Sequence, residues 1–220
     1  MEKLNAQDLM ERFAVYGRFY EKRIAGVNEH LRDRLEIAPR NLAVKEVVQQ
    51  EPDLLVVMMN PGGSRPLNTL WDADAADGFT NTVPDRTQYQ VMRLLVAAQA
   101  KGLGWHHARV LNLSDLRTPK SAEFVEKLQR YADYPEHSLF CDARRDECDK
   151  LFASLVTPVL LGWGLNPVFG EWADRALRAA RGHALLGISS DGRHFRHPLP
   201  QQHAMQLAWL SSVTAQLPEP

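Results

Sequence analysis

Apolar positions along this chain follow two patterns, and the change from one to the other divides it. From Ala6 to Ile24 the residues Leu9, Met10, Phe13, Tyr16, Phe19 and Tyr20 recur at helical spacing with Glu and Arg between them. That periodicity predicts an amphipathic helix. Residues 28–50 hold no single period, and Pro39 interrupts a stretch able to carry a short strand and a turn of helix. From Asp53 the pattern becomes regular. Leu54-Leu55-Val56-Val57-Met58-Met59 is apolar without alternation and stops at Asn60-Pro61-Gly62-Gly63. A run of this kind is expected of a strand buried on both faces of a helix-covered parallel sheet.

Three more short runs read as strands: Arg109 to Leu113, Pro158 to Gly162 and Ala184 to Ile188. Between and after them the spacing predicts helices. One runs from Arg86 to Lys101 with Tyr89, Met92, Leu95 and Val96 inward, and one follows Thr118-Pro119 with Phe124, Val125, Leu128 and Tyr131. A third, at 143–155, aligns Cys148, Leu151, Phe152 and Leu155; two others cover 171–181 and 201–214. Strands alternating with helices predict an α/β domain with a mainly parallel sheet. The expected organisation is one domain over 1–220, with residues 1–50 as a helical extension on an α/β core at 53–203.

Composition narrows the function classes. The 220 residues are 45% hydrophobic and carry 26 Lys+Arg against 27 Asp+Glu, a net charge of -1. This excludes a mainly disordered chain, and it lacks the basic surplus usual in proteins that grip duplex DNA. No apolar run approaches the ~20 residues of a membrane-spanning helix, so no membrane partner is expected. The opening MEKLNAQDLMERF has no leader-like apolar stretch, which predicts a cytoplasmic protein. Cys141 and Cys148 alone cannot build a disulfide framework or a four-cysteine metal site.

In α/β sheets, ligands bind at the carboxyl ends of the strands. Those ends carry Asn60-Pro61-Gly62-Gly63, Asn112-Leu113-Ser114-Asp115, Gly162-Trp163-Gly164 and, past the fourth strand, His197-Pro198-Leu199-Pro200. Each also has an ordinary structural role. Asn-Pro-Gly-Gly is a good turn sequence, an Asn closing a strand can bond a neighbouring loop, and Trp163 between glycines suits packing. His197 precedes a proline in an extended segment.

Taken in order, the four motifs resemble those of the uracil-DNA glycosylase superfamily over residues 53–203, about two thirds of the chain. Met59-Asn60-Pro61-Gly62 resembles its first motif, especially in the mismatch-specific branch. Val110-Leu111-Asn112 is similar to its second strand, and the run ending in Trp163-Gly164 to its third. His197-Pro198-Leu199-Pro200 resembles its His-Pro-Ser-Pro signature. A group of bacterial proteins with the same Asn-Pro start and His-Pro-Leu end also looks alike.

The resemblance implies a three-layer α/β/α fold with a four-stranded sheet in the order 2-1-3-4, binding a nucleobase, a nucleotide or a flipped-out base. Hydrolysis of an N-glycosidic bond is the implied chemistry, with single-stranded or damaged DNA as a candidate partner. Asn60 would then position a water and His197 would donate to the departing base. Asn112 would read the base edge through its amide donor and acceptor. Pro61, Gly62 and Gly63 would let the backbone approach the sugar-phosphate, and Trp71 or Phe79 would stack on the base. Apart from the resemblance, Arg65, Arg117, Lys120, Arg193 and Arg196 all fall in strand-end loops, where they either hold phosphate, Arg65, Arg117 and Arg196 first among them, or form a solvated rim. No cofactor or metal is implied, since the cysteines of the iron–sulfur branches are absent.

Departures from the family pattern leave a second class open. Leu199 replaces the serine, Gln201 stands where repair members place a wedge leucine, and the loop with Asp72, Asp74 and Asp77 is acidic. These favour a non-catalytic module that binds nucleotide or single-stranded nucleic acid. A Ser114–Asp115–His197 nucleophile system lacks the G-x-S-x-G elbow. His194, His197 and His203, with an Asp from 72–77, form no standard ligand spacing.

Overall fold

The computed structural model describes residues 4–67, 78–154 and 156–220. Trp71, the acidic residues Asp72, Asp74 and Asp77, and Leu155 lie outside the described residues. The parallel half of the sheet contains β3 (Leu54–Met58), β6 (Ala108–Asn112), β7 (Val159–Gly162) and β8 (Leu185–Leu186). β3 pairs in parallel with both β6 and β7, and β7 with β8.

Every residue of β3 is buried, and its side chains divide between two cores. Leu54, Val56 and Met58 join the core beneath α1 (Ala6–Arg12), α3 (Arg86–Ala100) and α7 (His203–Thr214). Leu55 and Val57 join the core beneath α4 (Ser121–Arg130), α5 (Arg145–Leu151) and α6 (Gly170–Ala179). The period of two in a strand produces this division, which is why the sequence shows a continuous apolar run.

The other half of the sheet corrects the expectation for the amino-terminal region. Of the helix expected over 6–24 only Ala6–Arg12 forms, opened by an Asn5 cap whose side chain accepts from the Gln7 and Asp8 amides. From there the chain forms β1 (Phe13–Ile24) and β2 (Val27–Pro39), a long antiparallel hairpin. Phe13 and Val15 face the α3 side, while Ala14 and Tyr16 face a separate small core with Val47 and Phe79. Both faces of the strand are therefore apolar, and aromatic and β-branched residues fit a pleated surface. The hairpin turns on Ala25 (φ 48°) and Gly26 (φ 85°), the two-residue connection with both central φ values positive.

The remaining elements are α2 (Val44–Gln49), β4 (Arg65–Pro66) and β5 (Phe79–Val83). β2 lies antiparallel to β6, so one eight-stranded sheet results, in the order β4-β5-β1-β2-β6-β3-β7-β8. The fold is mixed α/β, but the sheet is not the expected four-stranded one. The hairpin and β5 continue it on one side. No helix among the described residues is long and apolar enough to cross a membrane.

Candidate functional site

A cleft of about 320 Å³ opens at the carboxyl ends of β3 and β6 on the α3 side of the sheet. Met58, Val91 and Val110 form apolar wall, while Asn60, Asn112 and His197 reach it from three separate segments. Gly62 and Gly63 also line it. The strand ends thus bring together the two asparagines and the histidine that the sequence nominated.

Asn60 is buried, and its Nδ2 donates to the carbonyls of Thr118 at 2.9 Å and Leu116 at 3.2 Å. Those bonds fix which way the carboxamide is turned. Oδ1 is thereby directed away from the loop carbonyls, as an acceptor for a water or a ligand hydroxyl. Asn112 differs. It is 1% exposed, and neither Nδ2 nor Oδ1 has a hydrogen-bond partner. Leaving a buried polar atom unpaired costs about 1–3 kcal/mol, so one side chain here carries two such penalties. An adjacent donor and acceptor, both unanswered, face the same cleft.

His197 receives the Leu199 amide on Nδ1 at 3.1 Å. An accepting Nδ1 has no proton, so the neutral ring carries its proton on Nε2, which is left as a donor. Burial pushes the His197 pKa down, against the Leu199 bond and the nearby Asp85 charge. The ring is therefore a neutral donor at neutral pH.

Three further charged groups, Asp85, Arg86 and Arg32, line the cleft and were missed by sequence reasoning. Asp85 caps α3, with Oδ1 accepting from Thr87 and Gln88 and the Gln88 side chain returning the bond. Its Oδ2 lies against the Asn60-Pro61-Gly62 loop, and a Cβ on Gly62 would sit 2.8 Å from it. Asp-x-x-Gln before the apolar run is a capping-box signal that marked a helix start without suggesting a ligand role. Arg32, from β2, is 2% exposed and lines the cleft as well. No sequence signal could place it there, because its facing depends on the hairpin.

The remaining nominated residues lie elsewhere. Pro61 is buried behind the cleft, its carbonyl accepting from Thr118 N. Phe79 packs with Tyr16 and Ala14 beneath the guanidinium groups of Arg34 and Arg18, so it does not reach a ligand in the cleft. Arg65 is exposed on β4. Arg117 lies over the Phe19 ring and donates to the Ser64 carbonyl, just behind the cleft. Arg196 is exposed beside a neighbouring hollow that also includes His197. Trp71 lies outside the described residues.

Trp163 is fully buried and T-stacked on Phe195, a packing residue. Asp115 bonds Tyr20 and Arg144, and the Ser114 hydroxyl accepts from Leu116 N, so neither joins His197. His194 is held by Asp191 at 2.7 Å. Among the described residues, no three His, Cys, Asp or Glu side chains gather as a metal site. Comparison with protein-family models, curated proteins and solved structures gives no match.

Proposed function

We propose that this chain is a uracil-DNA glycosylase-like protein that binds a nucleobase in the cleft, as a nucleotide or as a base flipped out of single-stranded or damaged DNA. The observation that carries this is the doubly unpartnered amide of Asn112. A planar ring with a carbonyl next to an N–H, as in a nucleobase, satisfies both of its atoms at once. The order β6-β3-β7-β8 of the parallel strands, which is 2-1-3-4 counted along those four, supports the family reading.

The same arrangement supports hydrolysis of an N-glycosidic bond as the proposed chemistry. A water held by Asn60 Oδ1 attacks the anomeric carbon as the carbon–nitrogen bond breaks. The departing base takes the electron pair and is stabilised by the His197 Nε2–H, a donor placed where negative charge develops. Neutral Asn60 cannot accept the water's proton; the Asp85 carboxylate, in the same cleft, takes it. A nucleotide flipped from a duplex enters only after leaving its stack.

A second reading, a non-catalytic binding module, rests on the neutral residue at position 60 and the engagement of its amide by loop carbonyls. One experiment separates the two. Pure protein is incubated with uracil-containing single and double strands and with free deoxynucleotides, released base is measured by chromatography, and melting is followed with the same ligands. Release lost in Asn60→Ala and reduced about 10²-fold or more in His197→Ala supports hydrolysis. Ligand-dependent stabilisation without release supports the module. Neither release nor stabilisation overturns both.

A further inference from the structure

Building on the nucleobase reading, we propose that the ligand is a phosphorylated nucleoside whose phosphate is bound by Arg32, a residue that the hairpin delivers to the cleft. The register of β1 and β2 explains how it arrives. Arg18 pairs with Arg34 and Phe19 with Arg32, which leaves Asp33 as an extra residue, a bulge in β2. Leu35 and Ile37 face the α3 core, and Leu31 faces the opposite one. An uninterrupted strand would turn Arg32 away from Leu35. The bulge shifts the alternation by one and turns Arg32 to the cleft face. Its backbone is fixed beyond the end of β6 by a 2.9 Å bond from Arg32 N to the Asp115 carbonyl.

The guanidinium group is poorly satisfied where it lies. Nη1 donates to the Ser64 hydroxyl, while Nε is buried without a partner. No carboxylate oxygen of the described residues lies within 4.0 Å of it. Of the carboxylates, Asp85 acts on it most strongly, then Asp115 and Asp33, but none forms an ion pair with it. Burial pulls its pKa down to about 10, so it remains a cation at neutral pH.

A second guanidinium lies on the other side of Ser64. Arg117 donates to the Ser64 carbonyl at 2.8 Å, and its Nε is also buried and unpartnered. Two like charges in low dielectric, neither of them in an ion pair, are unfavourable even with the Asp85 carboxylate in the same cleft. A phosphate, with several acceptor oxygens and matching charge, relieves this through bonds of the strongest class. Asn112 thus faces the base and Arg32 the anion, within one cleft.

The test is calorimetry on the intact chain with uridine, thymidine, cytidine, guanosine, their 5′-monophosphates and inorganic phosphate. The expected result is at least tenfold tighter binding of a monophosphate than of its nucleoside, with a preference that shrinks as salt rises. Arg32→Gln reduces that preference below threefold and leaves nucleoside affinity within threefold. Arg32→Lys, which keeps the charge if the glutamine variant does not fold, retains part of it. Nucleosides binding as tightly as monophosphates would overturn the phosphate assignment and leave the nucleobase reading standing. Phosphate binding unaided by any base, with Asn112→Ala silent, overturns both.

Discussion

In β3 and β7 every residue is apolar or glycine and every one is buried, whereas the hairpin strand β2 buries Glu29, Arg32 and Glu36 between its apolar positions. Glu36 is wholly buried, bonded by Arg109 Nε at 2.8 Å and His107 Nε2 at 2.7 Å, with Arg34 beside it. Burial alone would raise its pKa; His107, Arg109 and Arg34 outweigh this and hold it below the usual carboxylate range. One half of the sheet is held by non-directional apolar burial. The other adds to its apolar burial a set of ion pairs that work only in one register. The cleft lies where the two meet: Asn60 and Asn112 come from the parallel side, and Arg32 from the hairpin.

The widest separation between the halves is expected at Glu36. Glu36→Gln strands Arg34 and Arg109 in a buried site, and a loss of about 3–5 kcal/mol is expected in urea unfolding. Replacing Glu36, Arg34 and Arg109 together by leucine or methionine should recover at least half of that loss, because no unpaired charge is left. Leu161→Ala in β7 should cost about 2–5 kcal/mol through its cavity, and no charge change at a second site should restore it. A triple variant no better than Glu36→Gln would show that the hairpin depends on its ions as such.

The parallel half was legible because its strands and helices carry unambiguous periods, and the motifs at its strand ends converge as strand-end chemistry requires. The hairpin was not. Phe13, Tyr16, Phe19 and Tyr20 satisfy a helical spacing, and a strand apolar on both faces shows no alternation to contradict it. Ala25-Gly26 is also a weaker turn signal than Asn-Gly. That misreading cost one cleft residue and misplaced another. Arg32 needs a bulge to face the cleft, and Phe79, nominated to stack on a base, is enclosed by the hairpin's own small core.

Next in size is a pH effect that belongs to the parallel half. His137 is 1% exposed, 5.7 Å from the Trp172 ring, with Nδ1 unpartnered. Burial lowers its pKa from 6.5 to about 4, outweighing the effect of Glu136, while Lys22 and Arg144 lower it further. The unfolded chain therefore binds this proton more readily than the folded one. The stability contribution is complete above pH 6.5 and is lost as pH falls to about 4, amounting to about 3 kcal/mol. His137→Phe should flatten the stability profile over that window. An unchanged slope would show that another group titrates there.

A smaller change probes the meeting of the halves. In Gly62→Ala the new Cβ would press on Asp85 Oδ2, and that carboxylate is fixed by the α3 cap. About 1 kcal/mol of stability is expected to go with the cap. Ligand-induced stabilisation should fall by more, because the same shift disturbs the wall beside Asn60. Equal loss in the free and the liganded protein would remove Asp85 from the binding wall.

The smallest effect should have the opposite sign and lie wholly in the hairpin. Ala25 occupies the left-handed region at φ 48°, where its Cβ crowds the backbone, and it is the non-glycine residue with positive φ among the described residues. Asparagine tolerates that region better, and Asn-Gly is the preferred pair for this two-residue turn. Ala25→Asn should therefore stabilise the chain by about 1 kcal/mol, read as a higher melting temperature. Because the turn sets the pairing of Ile24 with Val27, and every later pair up to the bulge, the gain should extend to the cleft. Hydrogen exchange at the Arg32 amide, which bonds the Asp115 carbonyl, should slow with it. A raised melting temperature with unchanged exchange at Arg32 would mean that the hairpin tip and the cleft end of β2 open independently, so the turn does not help to hold Arg32 in place.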